Sequence, residues 1–99
     1  MSLTLSQQRA TKEEFKQNLA LSGLDIQTIA AALGTSKPMI EADLQLRPAR
    51  LEDPWILRNY LIEQIQTQGK QPVPFTALKG DYHQYWFLDG ERIDRGLID

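Results

Sequence analysis

The residues best suited to metal chemistry are His83, the only histidine of the chain, and Asp81, two positions before it. In a β-strand this spacing puts both side chains on one face, where they could begin a metal site. Zinc and other transition metals need more protein ligands than these two. The chain has no cysteine that could add a thiolate ligand or serve as a nucleophile. The sequence therefore predicts no metal site.

Acidic residues cluster near the C-terminal end of the chain, at Asp89, Glu91 and Asp94. Asp89 is explained by a turn, and the other two are explained by solvated strand faces. A catalytic pair of carboxylates needs environments that move their pKa values apart, and the sequence indicates none. It also lacks a glycine-rich phosphate loop, a nucleophile elbow and a zinc-protease motif. We predict that the protein is not an enzyme and uses no cofactor.

Helix start and stop signals indicate the elements that would position any site. The first predicted helix begins at the capping box Thr11-Lys12-Glu13-Glu14 and ends at Gly23. A second begins at Asp25, and a third follows it closely. The fourth runs from Asp53-Pro54 to about Gln68. Its broad apolar surface predicts a central position, or contact with a partner.

The last third of the chain predicts a β-hairpin. Residues 71–74 form a stiff proline-containing connector, and strand formers follow from Tyr82 to Leu88. Asp89-Gly90 is a strong signal for a two-residue turn, and the return strand would run from Glu91 to Ile98 with Ile93 and Leu97 on its apolar face. The predicted fold is α+β, mostly α: a four-helix bundle over residues 11–68, closed by a connector and hairpin over residues 71–99. We expect residues 1–99 to form a single domain.

Residues 25–46 have the pattern of two short helices joined by a tight turn. Ala30 is small enough to let the helices approach, and Gly34 permits the sharp turn. Ser36 caps the second of these helices, and Ile40 fills the angle between them. The segment resembles the helix-turn-helix of the phage-repressor and Cro class.

Two further segments carry a wider resemblance, LEDPWILRNYL at 51–61 and PVPFTALKGDYHQYWFL at 72–88. With them, nearly the whole chain is similar to a small bacterial family known only as a domain of unknown function, with a repressor-like helical part. This resemblance implies the fold. It implies no established activity.

The resemblance to repressors implies a surface for double-stranded DNA on the third helix, as part of a transcription regulator. When the repressor pattern is aligned with this segment, it implies that Lys37, Pro38 and Ala42 face the major groove. The DNA contacts implied in this way are Ser36, Lys37, Met39, Ala42, Arg47 and Arg50, with the two arginines on phosphates. Glu41 and Asp43 lie on the flanks and would bring negative charge close to those phosphates. The sign of the charge over this helix therefore decides the hypothesis.

The same helix supports a second hypothesis, in which the helix-turn-helix frame serves a protein contact without binding DNA. Pro38, Met39 and Ala42 form a small apolar patch where a DNA reader carries polar groups, and such a patch is typical of protein contacts. The predicted interface residues are Pro38, Met39, Tyr85 and Phe87. Cover by the chain's own C-terminal part and cover by a second copy are both open alternatives.

The formal net charge of −2 is unevenly distributed along the chain. Residues 1–50 carry six lysines or arginines against five acids, and residues 51–99 carry five against eight. A general affinity for phosphates, which a strongly basic domain would have, is therefore not indicated. The net charge still permits a local basic strip beside the third helix, formed by Lys37, Arg47, Arg50 and Arg58.

Two features of composition bear on location and partners. The chain lacks cysteine, and none of its apolar stretches approaches the roughly 18 residues that cross a bilayer. We therefore expect a cytoplasmic protein without a membrane segment. The expected partners are double-stranded DNA and a second copy of the chain, and no small-molecule ligand is indicated.

Overall fold

The computed structural model describes residues 4–47, 50, 52–79 and 88–98. These ranges contain five α-helices: α1 (Leu5–Ser22), α2 (Ile26–Leu33), α3 (Lys37–Leu44), α4 (Asp53–Thr67) and α5 (Gly90–Arg95). α4 packs against α1, α3 and α5, and α2 packs against α3. The described part of the chain has no β-strand. None of its helices is both long enough and apolar enough to cross a bilayer.

α1 begins earlier than its predicted capping box. Its cap is Thr4, whose hydroxyl accepts the Gln7 N–H at 3.1 Å while the Gln7 side-chain oxygen accepts the Thr4 N–H at 2.9 Å. Thr11 is fully buried inside the helix, where its hydroxyl donates to the Gln7 carbonyl oxygen at 2.7 Å. The chain contains two segments that satisfy the capping-box pattern, and α1 uses the first. Gly23 ends α1 with a φ of +70°, as predicted.

α2 and α3 have the predicted order and the predicted turn between them. The Asp25 carboxylate caps α2 by accepting the backbone N–H three residues later at 2.7 Å. Gly34 ends α2 with a φ of +71°. Ser36 occupies the cap position of α3, but its hydroxyl makes no capping hydrogen bond there. Pro38 lies in the first turn of α3, where it removes no intrahelical hydrogen bond.

α4 packs in the core, which agrees with the first of the two alternatives predicted from its broad apolar surface. Its buried apolar side chains spread over several sides of the helix: Trp55, Ile56, Leu57, Leu61 and Ile65. Contacts on three of its sides, with α1, α3 and α5, account for this breadth. The cap position is Glu52 rather than Asp53, which is already helical.

Residues 70–79 form an irregular connector that lies against α1. The fully buried Asn18 side chain donates to the Val73 carbonyl oxygen at 3.0 Å and accepts the Val73 N–H at 2.8 Å. The Glu14 carboxylate accepts the Thr76 N–H at 3.0 Å and the Thr76 hydroxyl at 2.8 Å. Two side chains one helical turn apart on α1 therefore satisfy the backbone of the connector.

The predicted C-terminal β-hairpin is wrong. Asp89-Gly90 begins α5 in place of a turn, and the Asp89 carboxylate accepts the backbone N–H three residues later at 3.2 Å. Ile93 and Ile98 are buried, whereas Leu97 is 44% exposed, a pattern that strand alternation does not produce. Aspartate suits a helix cap as well as it suits a turn, so the dipeptide alone does not choose between them.

Some predictions for the C-terminal third fall outside the described residues. Most of the first predicted strand, Tyr82 to Phe87, is in this group, together with Asp81. Leu88 is described, and it is not part of a strand.

Candidate nucleic-acid interface

The orientation of α3 follows from its packing on α2. Ala30 on α2 and Ile40 on α3 are both fully buried. Gly34 reverses the chain between the two helices, and the Thr35 N–H after it donates to the Ala30 carbonyl oxygen at 2.9 Å. With Ile40 in the core, the opposite side of α3 faces outward. That side is the candidate interface.

The polar and charged DNA contacts predicted from the sequence lie on the surface at the two ends of α3. Ser36 and Lys37 are exposed at its start. Arg47 and Arg50 are exposed after its end. Glu41 is exposed between these two groups. The surface thus has positive charge at both ends and one carboxylate between them.

The apolar residues predicted for this surface are less exposed to solvent than the sequence pattern indicated. Pro38 is exposed, but Met39 and Ala42 are only half-buried, and Met39 packs against the hydrophobic core. Tyr85 and Phe87, the other predicted interface residues, lie outside the described residues. Within the part that the structure describes, the exposed apolar patch on α3 is therefore small.

Asp43 does not flank the groove-facing positions, which corrects the expectation that it brings charge to this surface. Its side chain is fully buried. Burial removes the carboxylate from water, and the negative charge of Asp53 lies within range, so the pKa of Asp43 is raised to about 7. At neutral pH a large share of Asp43 is consequently protonated and uncharged. Its inward direction has a signal in the sequence, because it lies three residues after Ile40 on the same helical face.

A second carboxylate modifies the charge at the start of α3. Hydrogen bonds from the backbone N–H and hydroxyl of Thr28 hold the pKa of Asp25 below its usual value, and the positive charge of Lys37 lowers it further. Asp25 is therefore ionised and close enough to Lys37 to offset part of its charge. Arg47 and Arg50 lie at the other end of α3.

Arg58 is not available to the predicted basic strip. Its Nε donates to the Leu78 carbonyl oxygen at 2.7 Å, and its Nη1 donates to the Asn59 Oδ1 at 2.6 Å. The guanidinium carbon lies 5.4 Å from the ring centroid of Trp55 and 5.7 Å from that of Phe75. Arg58 therefore fastens the connector to α4, a role that no local pattern in the sequence indicates.

A cavity of about 200 Å³ lies between α4 and α5, away from α3. Leu33, Ile56 and Ile93 give it an apolar part, and Glu63 and Asp94 give it an acidic part. Two acidic residues oppose the binding of phosphates there. No group of three or more histidine or acidic side chains suited to a metal ion occurs among the described residues.

The comparisons with known proteins bear on the whole chain. No curated protein and no solved structure matches it. One family model does match, over residues 1–89. The chain belongs to this family, DUF2316, whose members are uncharacterised proteins conserved in bacteria.

Proposed function

We propose that the protein binds double-stranded DNA through the outward side of α3 and the residues that follow it, and that it regulates transcription. The observation that carries the proposal is the burial of Asp43. With Asp43 inside, the exposed charged residues on and beside α3 are three cations, Lys37, Arg47 and Arg50, and two acids, Glu41 and Asp25. Cationic side chains that neutralise phosphates and release counterions supply most non-specific affinity for DNA.

The arrangement of α2 and α3 supports the proposal further. A fully buried Ala30, a left-handed Gly34 in the turn and a fully buried Ile40 are what a helix-turn-helix of the phage-repressor kind requires. In such a motif the second helix enters the major groove with its N-terminal residues at the base edges. Lys37 would then meet bases, and Arg47 would meet a phosphate.

With Lys37 at the bases, Arg47 and Arg50 give only two phosphate contacts per protomer. Motifs of this kind usually bind as two-fold dimers, which doubles the number of contacts. We therefore include a homodimer in the proposal. With about four phosphate contacts in the dimer, affinity should fall by roughly a hundredfold between 50 and 200 mM salt.

The test is a fluorescence-anisotropy titration against a mixed pool of genomic duplex fragments, repeated over about 50 to 200 mM salt. Wild-type protein should bind with steep salt dependence. Lys37→Glu should leave the fold intact because the side chain is exposed, and should weaken binding at least about tenfold with a shallower salt slope.

Lys12→Glu is the matched control, because Lys12 is exposed on α1 and the charge change is the same. It should bind as the wild type does. Equal weakening by both substitutions would show that net charge alone drives binding, and a folded protein that does not bind at about 50 mM salt would overturn the proposal.

A protein contact through the same surface is the second candidate. The exposed Pro38 beside the half-buried Met39 and Ala42 favours it, as does the carboxylate of Asp25 next to Lys37. A folded protein that does not bind DNA, but whose dimer dissociates on Pro38→Asp, would support this alternative.

A further inference from the structure

Residues 89–98, which we name the C-terminal clamp, contact the chain at two places that flank α3. At one end, the Asp89 N–H donates to the Glu52 Oε2 at 3.3 Å, directly before α4. At the other end, the Ile98 N–H donates to the Leu33 carbonyl oxygen at 2.8 Å, at the last residue of α2. Because α3 lies between α2 and α4 along the chain, the clamp connects the segment before α3 to the segment after it.

Buried side chains fix the clamp to the core between these two ends. Ile93 on α5 is 2% exposed and Ile98 is 1% exposed, and α5 packs against α4. Burial of apolar side chains stabilises such contacts by removing their surface from water. Chain ends are poorly ordered unless contacts of this kind hold them. The clamp is therefore part of the folded core up to its last described residue.

The end of the clamp supports the turn between α2 and α3. The carbonyl oxygen of Leu33 is one of the four at the end of α2 that have no partner inside the helix, and the Ile98 N–H supplies that partner. Leu97 lies beside the turn, because its Cδ2 would be 3.6 Å from a Cβ added at Gly34. The next residue, Thr35, closes the turn through its N–H on α2. The clamp thus holds the chain just before α3 begins.

We propose that Ile98 is a positioning residue for the DNA contact: its anchoring in the core holds α3 in the orientation that presents Lys37 to the groove. This inference rests on the proposed function. α3 has only eight residues, and helices of that length are marginal in water, so its position depends on tertiary contacts and on its two connections. The clamp contacts the segments on both sides of α3.

Loss of the anchor affects DNA binding through the orientation of α3. Without Ile98 in the core, the turn at Gly34 adopts further arrangements, and α3 has the binding orientation in only a fraction of molecules. The apparent affinity falls in proportion to that fraction. Ile98 itself touches no DNA in this arrangement, because its side chain is buried.

Ile98→Ala tests the anchor without DNA. Amide hydrogen exchange measured by NMR should show that the Thr35 N–H loses protection at least about tenfold relative to the Leu61 N–H in α4. Ile65→Ala is the matched control, because Ile65 is also fully buried but lies in the last turn of α4. It should lower the protection of both amides together and leave their ratio unchanged.

The same two variants test the positioning role with DNA. Anisotropy titrations are made at a temperature at which circular dichroism shows both variants fully folded, so that lost stability alone does not change the affinity. Ile98→Ala should bind at least about tenfold more weakly than Ile65→Ala. Ile98→Val keeps most of the buried side chain and should show a loss of only about threefold in both measurements.

Each outcome decides one step of the proposal. An unchanged ratio of Thr35 to Leu61 protection in Ile98→Ala would overturn the anchor. A lower ratio with equal DNA affinity of Ile98→Ala and Ile65→Ala would overturn the positioning role. If Ile98→Ala does not fold, Ile98→Val replaces it, and no change in either measurement would overturn the proposal.

Failure of the proposed function can be told apart from failure of the anchor. If the wild type binds no DNA, the proposed function fails and the positioning role fails with it. The exchange ratio needs no DNA, so it still decides whether Ile98 holds the turn before α3.

Discussion

Aspartate side chains take two different roles in this chain, and their surroundings decide which. Asp25 and Asp89 begin helices by accepting a backbone N–H three residues later. Asp43 and Asp53 are fully buried at the contact between two helices. The two helix caps can be predicted from local sequence, because an aspartate directly before a helix can accept the N–H of the third helical residue without help from distant segments. The burial of the other two depends on how the helices pack, and the sequence-based prediction placed Asp43 on the flank of the outward surface of α3.

Gly34 is the residue on which the turn between α2 and α3 depends. Its φ of +71° strains any side chain, and an added Cβ would meet the Leu97 Cδ2 at 3.6 Å. Gly34→Val should therefore lower the free energy of unfolding by more than about 1 kcal/mol, measured by urea denaturation.

Gly23→Val is the matched control for that substitution, because Gly23 has a φ of +70° and an added Cβ would meet nothing within 4 Å. It should carry the strain alone, and the larger loss at Gly34 should come from the valine methyl groups against Leu97. Unchanged stability of Gly34→Val would contradict the left-handed turn.

Among the elements, the connector at 70–79 shows most clearly what periodicity does not reveal. The prolines predicted a stiff connector that is not helical at residues 71–74, and the structure has no helix there. They did not indicate its position along α1. That position depends on Glu14 and Asn18. The local sequence predicted a capping-box role for Glu14 and no role for Asn18. Side chains that bond a segment more than 50 residues away leave no local pattern.

Asn18→Ala tests this attachment. The substitution leaves the N–H and carbonyl oxygen of Val73 without their partner, and each such group costs about 1 to 3 kcal/mol when it stays buried. We expect the free energy of unfolding to fall by about 2 to 4 kcal/mol in urea denaturation.

Gln17→Ala is the control on the neighbouring residue, because Gln17 is exposed on the same helix. It should change stability by less than about 0.5 kcal/mol. Equal effects of the two substitutions would mean that the connector does not depend on Asn18.

The net charge of −2 does not describe how charge is distributed over the described residues. Exposed cations lie at both ends of α3 together with the exposed acids Asp25 and Glu41, and two further acids, Glu63 and Asp94, line the cavity between α4 and α5. The proposed contact with an anionic partner therefore depends on a local excess of positive charge at α3.

The proposed homodimer is a prediction for the molecule as a whole. If the proposed dimer binds DNA, two-fold symmetry should place its two α3 helices about 34 to 36 Å apart, the length of one turn of B-form DNA. Light scattering after size exclusion should therefore give a mass twice the 11.3 kDa of one chain, and the DNA complex should contain two copies. A monomer both free and on DNA would contradict this geometry.

The sequence by itself determined the features that depend on neighbouring residues: the ends of α1 and α2 at left-handed glycines, the cap of α2, the proline in the first turn of α3 and the central burial of α4. Local sterics and helical periodicity suffice for these. Tertiary structure alone decided that Asp89-Gly90 begins a helix and that Asp43 is buried. In each case local chemistry permits two outcomes, and packing between distant segments selects one.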